Sequence, residues 1–283
     1  MTNILVTGAT GTVGRPLVEL LSGRGANVRA VARSFDSGVP TSVERCTADL
    51  ADPAGVAPVL KGIDVLFVHP RAVGERAGDL LAVAVEAGVR RVVVMSAINV
   101  DDDPALQPSR WNGDRNREVE EAVVASGLPW TAVRPTSFAG NVIGMFGGQI
   151  RAGDVVRAPY AGFTEAPTHE GDLSAVLAEV LLDDAWEGQR LAVTGSEALT
   201  QEQLVAVIGE VLGLPLRFQE IPADAAVRAM TANGLPEGFA VALMERYARD
   251  DAGIVTDTVE RVLGRPARTF AEWVDEHRAA FRR

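Results

Sequence analysis

The chain has 283 residues, 47% of them apolar, enough to bury a full core in one large α/β domain carrying a smaller lobe. Its formal net charge of -11 opposes a phosphate backbone, so nucleic acid is not expected as a partner. Cys46 is the only cysteine, which excludes a disulfide framework and a cysteine-based metal site and suits a reducing compartment.

In chain order, residues 4–7 form a short β-branched run with neither the basic start of a signal peptide nor the long apolar stretch of a membrane span. A cytoplasmic protein that does not enter the membrane is expected. Further strand-like runs fall at 27–32, 43–48, 65–69, 91–96 and 130–134. Between them, apolar residues recur at three- and four-residue spacing over 13–21, 54–60, 79–87 and 117–125, the period of amphipathic helices. Regular β-α alternation predicts a doubly wound parallel sheet whose strand C-termini share one edge. Ligands bind in the crevice at that edge where the strand order reverses, so the loops beginning at Thr7, Arg33, His69, Ser96 and Pro135 are the place to search.

After about Gly140 the pattern loosens into the Gly-rich stretch 144–153, a crossover toward the second lobe. A returning strand is predicted near 189–195, and helices over 201–212, 224–233, 239–248 and 269–281. The division expected is 1–155 plus the returning strand for the larger domain and 156–283 for a smaller C-terminal α/β lobe on the substrate side. The apolar helices of that lobe leave monomer and homodimer equally open.

The strongest motif is Ile4-Leu5-Val6-Thr7-Gly8-Ala9-Thr10-Gly11-Thr12-Val13-Gly14, a buried strand feeding a glycine turn and then a helix. This is the context of a dinucleotide-binding Rossmann fingerprint. Gly8 permits the tight turn, Gly11 lets backbone N–H groups near Thr10, Thr12 and Val13 approach a pyrophosphate at the helix N-terminus, and Gly14 lets the helix pack closely. About twenty residues further on, where NAD-binding chains place an acid for the ribose 2′-hydroxyl, the second strand ends on Arg33. A guanidinium there forks onto a 2′-phosphate and favours NADP(H); the alternative is a solvated surface arginine. Asp49 faces the adenine edge or caps a helix, and His69 lines the adenosine half and titrates near neutrality.

With Arg33, this glycine string resembles the atypical short-chain dehydrogenase/reductases of the NmrA-like, NAD(P)-binding group. The resemblance extends through residues 126–135, Asn141, 167–173, 264–266 and 270–273. It implies a Rossmann domain with a small lobe closing over the nicotinamide, in a group that holds both reductases and catalytically silent redox sensors. The superfamily's Tyr-x-x-x-Lys dyad is missing: counted from Ser126-Gly127, its positions fall on Asn112 and Asn116. Tyr160 and Tyr247 are the only tyrosines, neither followed by lysine four residues on, and the single lysine, Lys61, precedes a strand at the opposite edge of the sheet.

Ser96 stands where the superfamily's catalytic serine usually lies, and either orients a carbonyl or caps a turn. Asn112 and Asn116 hold water or ribose hydroxyls from one helix face, or are loop and cap residues. Tyr160 and Trp111 wall a flat substrate or close a core, and a structural hydrogen bond is the default role for His169. Two functions follow. One is NADPH-dependent reduction of a quinone, conjugated enone or similarly activated small molecule, whose oxyanion product needs no tuned acid. The other is non-enzymatic NADP(H) sensing through a protein partner.

Overall fold

Strands with every side chain buried, such as Val65–Val68 and Arg91–Met95, need a helical layer on each face of their sheet. The chain supplies both layers. The computed structural model describes residues 1–35, 38–50, 52–249 and 253–282. In order these form β1 (Asn3–Thr7), α1 (Gly14–Gly23), β2 (Asn27–Ala32), β3 (Glu44–Thr47), α2 (Pro53–Leu60), β4 (Val65–Val68), a short α3 (Pro70–Val73), α4 (Ala77–Glu86), β5 (Arg91–Met95), α5 (Asn116–Ala125) and β6 (Trp130–Pro135). A π-helical turn over Ile143–Gly147 leads into α6 (Gly148–Ala152), β7 (Val155–Ala158), β8 (Thr164–Glu165), α7 (Glu170–Leu182), β9 (Arg190–Val193) and β10 (Leu199–Thr200). The chain ends with α8 (Gln201–Leu212), β11 (Arg217–Glu220), α9 (Ala223–Ala232), α10 (Glu237–Tyr247), α11 (Thr258–Leu263) and α12 (Phe270–Glu276).

Seven parallel strands form one sheet in the order β3-β2-β1-β4-β5-β6-β9, the doubly wound arrangement that the β-α alternation predicts. The winding direction reverses between β1 and β4, which puts the loops after Thr7 and Val68 side by side at the edge where ligands bind. Alternation along each strand sorts the core into two faces. Ile4, Val6, Phe67 and Val93 pack with Leu17 and Leu21 of α1, Leu177 and Leu181 of α7, and Val259 of α11. Leu5, Leu66, Val92 and Val94 pack on the other face with Leu60 of α2, Leu80 of α4 and Val123 of α5.

Two charged side chains tie α7 into this frame. Arg91, buried at the start of β5, donates to the carbonyls of Val180 at 2.7 Å, Leu181 at 2.8 Å and Asp183 at 2.6 Å, closing the last turn of the helix. At the other end the buried Asp172 carboxylate accepts from Arg265 at 2.7 Å and from the Arg268 backbone N–H and Nε at 2.8 and 2.9 Å. Burial alone would raise its pKa; the hydrogen bonds from Arg265 and Arg268 outweigh that and hold it below the usual carboxylate range.

Outside the sheet, Phe146 and Ile150 meet Leu204 and Ile208 of α8 and Phe270 and Trp273 of α12 in a separate apolar cluster. Parallel pairing of β7 with β11 and antiparallel pairing of β8 with β10 complete the smaller α/β lobe. The helix expected over 269–281 stops at Glu276, where His277 adopts φ -110° and ψ 18°, and resumes as a 3-10 turn over Arg278–Phe281. No helix among the described residues is long and apolar enough to cross a membrane.

Replacing Arg91 by leucine strips the partners from buried carbonyls at the end of α7. Urea unfolding is expected to show a loss of about 2–4 kcal/mol in stability. An unchanged midpoint would mean that these carbonyls find other donors.

Candidate cofactor and substrate cleft

Gly8 follows β1 with φ +64°, a left-handed conformation that side chains disfavour, and a Cβ there would lie 3.3 Å from Cβ of His69. The next constraint is tighter. A Cβ on Gly14 would sit 2.2 Å from the carbonyl oxygen of Gly8, inside any tolerable contact, so α1 approaches the turn as closely as it does only with glycine at its first position. Among the described residues α1 has no side-chain N-cap hydrogen bond and no acid in its first turn. Its leading N–H groups and positive dipole end therefore suit an anion supplied from outside the chain. Thr7 Oγ1 accepts the His69 N–H at 2.8 Å and locks the two switch-point loops together.

These loops open on a cleft of about 990 Å³. Gly8, Thr10, Gly11, Thr12 and Val13 line it, with Gly14 behind them as the packing contact. Arg33, at the tip of β2, is on the wall and exposed, and among the described residues its guanidinium has no hydrogen-bond or ion partner. Asp49 is exposed and lies off the wall, although its neighbours Ala48 and Leu50 are on it.

Ser96 reaches the cleft from the end of β5, 3% exposed, with its N–H donating to the Val133 carbonyl at 2.7 Å. Asn112 and Asn116 also line the cleft, but not as neighbours on one helix face. Asn112 ends a 3-10 turn over Pro108–Asn112, Gly113 intervenes with φ +88°, and α5 begins only at Asn116, whose amide meets Ser109 Oγ at 3.4 Å. Lys61 is not on the cleft; it follows α2, where its carbonyl accepts from Arg29.

His69 belongs to the cleft, and its expected titration near neutrality is corrected. Burial pushes the imidazole down to about 4, with Arg71 lowering it further against the opposing pull of Asp114. Nδ1 accepts the Arg71 N–H at 3.2 Å, so the neutral ring carries its proton on Nε2. Arg71 in turn grips Asp114 through two hydrogen bonds of 2.9 Å.

The second lobe adds wall residues that the sequence reading missed. Glu165 in β8 accepts from Ser137 Oγ, just past β6, and lies 3.6 Å from the Arg246 guanidinium of α10. Tyr247 is buried with its hydroxyl 3.9 Å from Met145 Sδ, and burial raises its pKa well above the phenol range, so it is no substitute for an acid activated by lysine. Tyr160, with φ +54°, packs edge-on against Tyr247 at 6.5 Å and is not a wall residue. Trp111 is not on the wall either; its indole covers Gly238. The only signals for these positions were amphipathic helices in the second lobe, which do not say which face lines a cleft.

A neutral His69 sets the sign of a pH effect. Between pH 6.5 and about 4 the unfolded imidazole binds a proton that the folded one refuses, so stability falls as pH drops through that window. His69→Gln is expected to flatten this part of the stability profile, measured by urea unfolding at several pH values. An identical slope in both proteins would contradict the assignment.

Comparison with known proteins agrees with this geometry. The family described as NAD(P)H-binding matches residues 8–184. A relative from Streptomyces griseus subsp. griseus, (4-alkanoyl-5-oxo-2,5-dihydrofuran-3-yl)methyl phosphate reductase, is 38% identical over 98% of this chain and 99% of its own. The NAD(P)H azoreductase of Xenophilus azovorans is 34% identical, with 98% and 99% covered. The structure of the NADPH-dependent quinone oxidoreductase from Escherichia coli complexed with NADPH superposes with a TM-score of 0.80 over 98% of this chain and 99% of that one, at 23% identity, and shares the fold. The glycine turn, the doubly wound sheet and the matched span together place the chain in the NAD(P)H-binding family.

Proposed function

We propose that the protein is an NADPH-dependent reductase of quinones, conjugated enones or similarly activated small molecules. The observation that carries this reading is one continuous cleft with, at one end, an anion-ready glycine turn and an Arg33 that has no partner among the described residues, and a roomy, largely apolar end beyond Ser96 and Pro135. The N–H groups at the start of α1 hold the pyrophosphate, and Arg33 forks onto the 2′-phosphate, an interaction NADH lacks. The His69 Nε2–H offers a neutral donor beside the turn. Ser96 and Asn116 line the cleft past the ends of β5 and β6 and would flank a nicotinamide held there.

Bound NADPH supplies a hydride. Among the described residues the cleft has no tyrosine–lysine pair to serve as a tuned proton donor: Asn112 and Asn116 do not ionise, Tyr247 is sequestered and Lys61 lies elsewhere. Reduction of a simple ketone would leave a strongly basic alkoxide in such a site. A quinone or enone delocalises the charge into an oxyanion that water protonates, so the missing acid selects the substrate class. The activities of the two relatives, on a dihydrofuranone phosphate and an azo compound, support this choice.

Two measurements test it. Arg33→Ala is expected to weaken NADPH binding by about tenfold or more while leaving NADH affinity nearly unchanged, read by calorimetry. Wild-type protein is expected to oxidise NADPH when quinones or enones are added. Tight NADPH binding with no oxidation across both substrate classes would overturn the reductase reading and leave NADP(H) sensing.

A further inference from the structure

Past the ends of β5 and β6 the cleft runs beneath α9 and α10, and each helix gives it one face. On α9 and its C-terminal cap the cleft residues are Ala226, Ala229, Met230 and Asn233, a single helical stripe at three-one-three spacing. On α10 they are Phe239, Leu243, Arg246 and Tyr247, a second stripe at four-three-one spacing. Met145 and Ile221 close the gap between the helices and the sheet edge. Of these apolar side chains Met145, Ile221, Met230, Phe239 and Leu243 are only half-buried, so apolar surface remains turned to open space. From residue 226 to residue 233 the α9 stripe runs roughly 10 Å at 1.5 Å per residue.

A dinucleotide held at Arg33, the glycine turn and Ser96 would leave this end of the cleft to the substrate. The hairpin is not free to collapse onto it. The Trp111 indole covers Gly238, where a Cβ would come within 2.2 Å of the ring. Arg249 pairs with Asp102 at 2.8 Å, and Arg246 lies 3.6 Å from Glu165. Pinned at these three points, α10 holds its place, and α9 packs on it through Ala226, Val227 and Met230, so the slot is preformed and an occupant that fills it orders little in doing so.

We propose that the α9–α10 hairpin is a slot for an extended apolar arm of the substrate, so that the preferred substrates are activated carbonyl compounds carrying an alkyl or aryl chain. Turnover as a readout rests on the reductase reading; affinity does not. The slot acts on specificity through area removed from water, so each added methylene raises affinity until the arm outruns the stripe on α9.

A series of 2-n-alkyl-1,4-naphthoquinones, from methyl to octyl, tests this in two ways: kcat/KM with NADPH, and calorimetric affinity for the protein saturated with NADP+. Both are expected to rise by about fourfold per methylene over the first few members. In Met230→Asp, and in the more exposed Ala229→Asp, the chain-length slope is expected to flatten whatever the overall activity of each variant. Flat wild-type series in both readouts overturn the slot, as does a slope that survives unchanged in both variants, which would report non-specific partitioning. Rising affinity that the variants flatten, without turnover, keeps the slot and removes the reductase reading; absence of both turnover and affinity removes both.

Discussion

The contact on which the rest of the architecture depends is the approach of α1 to the turn after β1, with Gly14 against the carbonyl of Gly8. Any side chain at position 14 would push the helix away from the strand. Because it is not pushed away, uncapped N–H groups meet the cleft beside the point where the sheet reverses its winding. An anion site made this way uses no charged side chain of its own, which fits a chain of net charge -11.

From that anchor the cleft changes character along its length. The end beside the glycine turn offers backbone N–H groups, Arg33 and an imidazole held neutral by burial. The floor offers hydroxyl and amide groups, Ser96, Asn112 and Asn116, none of which ionises near neutrality. The far end is largely apolar. Such a gradient positions a hydride donor and an electrophile without supplying a strong acid, and it favours acceptors that stabilise their own negative charge.

The part of this that could be read in the sequence is the part with a simple period. Strands β1, β2, β4, β5 and β6 and helices α1, α4, α5 and α8 follow two-residue or 3.6-residue patterns, and the glycine spacing names its own geometry. Helix α7 was hidden because it is buried on most sides, with Leu173, Val176, Leu177, Val180 and Leu181 all inaccessible, so no polar face marks its period. Residues 143–152 looked like a loop because of their glycines, yet Phe146 and Ile150 keep helical spacing and pack on α8 and α12. Strands β7 and β11 carry Arg157, Arg217, Gln219 and Glu220, polar residues that leave no apolar run to mark a strand. In the site, the fingerprint and Arg33 were legible. Glu165 and the cleft faces of α9 and α10 were not, because only the return of the chain across the sheet edge brings them there.

The most direct test of the central claim is a single turnover with NADPH deuterated at C4 of the nicotinamide and a conjugated enone whose carbon receives the hydride. Transfer within the cleft predicts deuterium on the β-carbon of the reduced product from one C4 face only, with a primary isotope effect on NADPH consumption. Product lacking the label, or label delivered from both faces alike, would contradict the account.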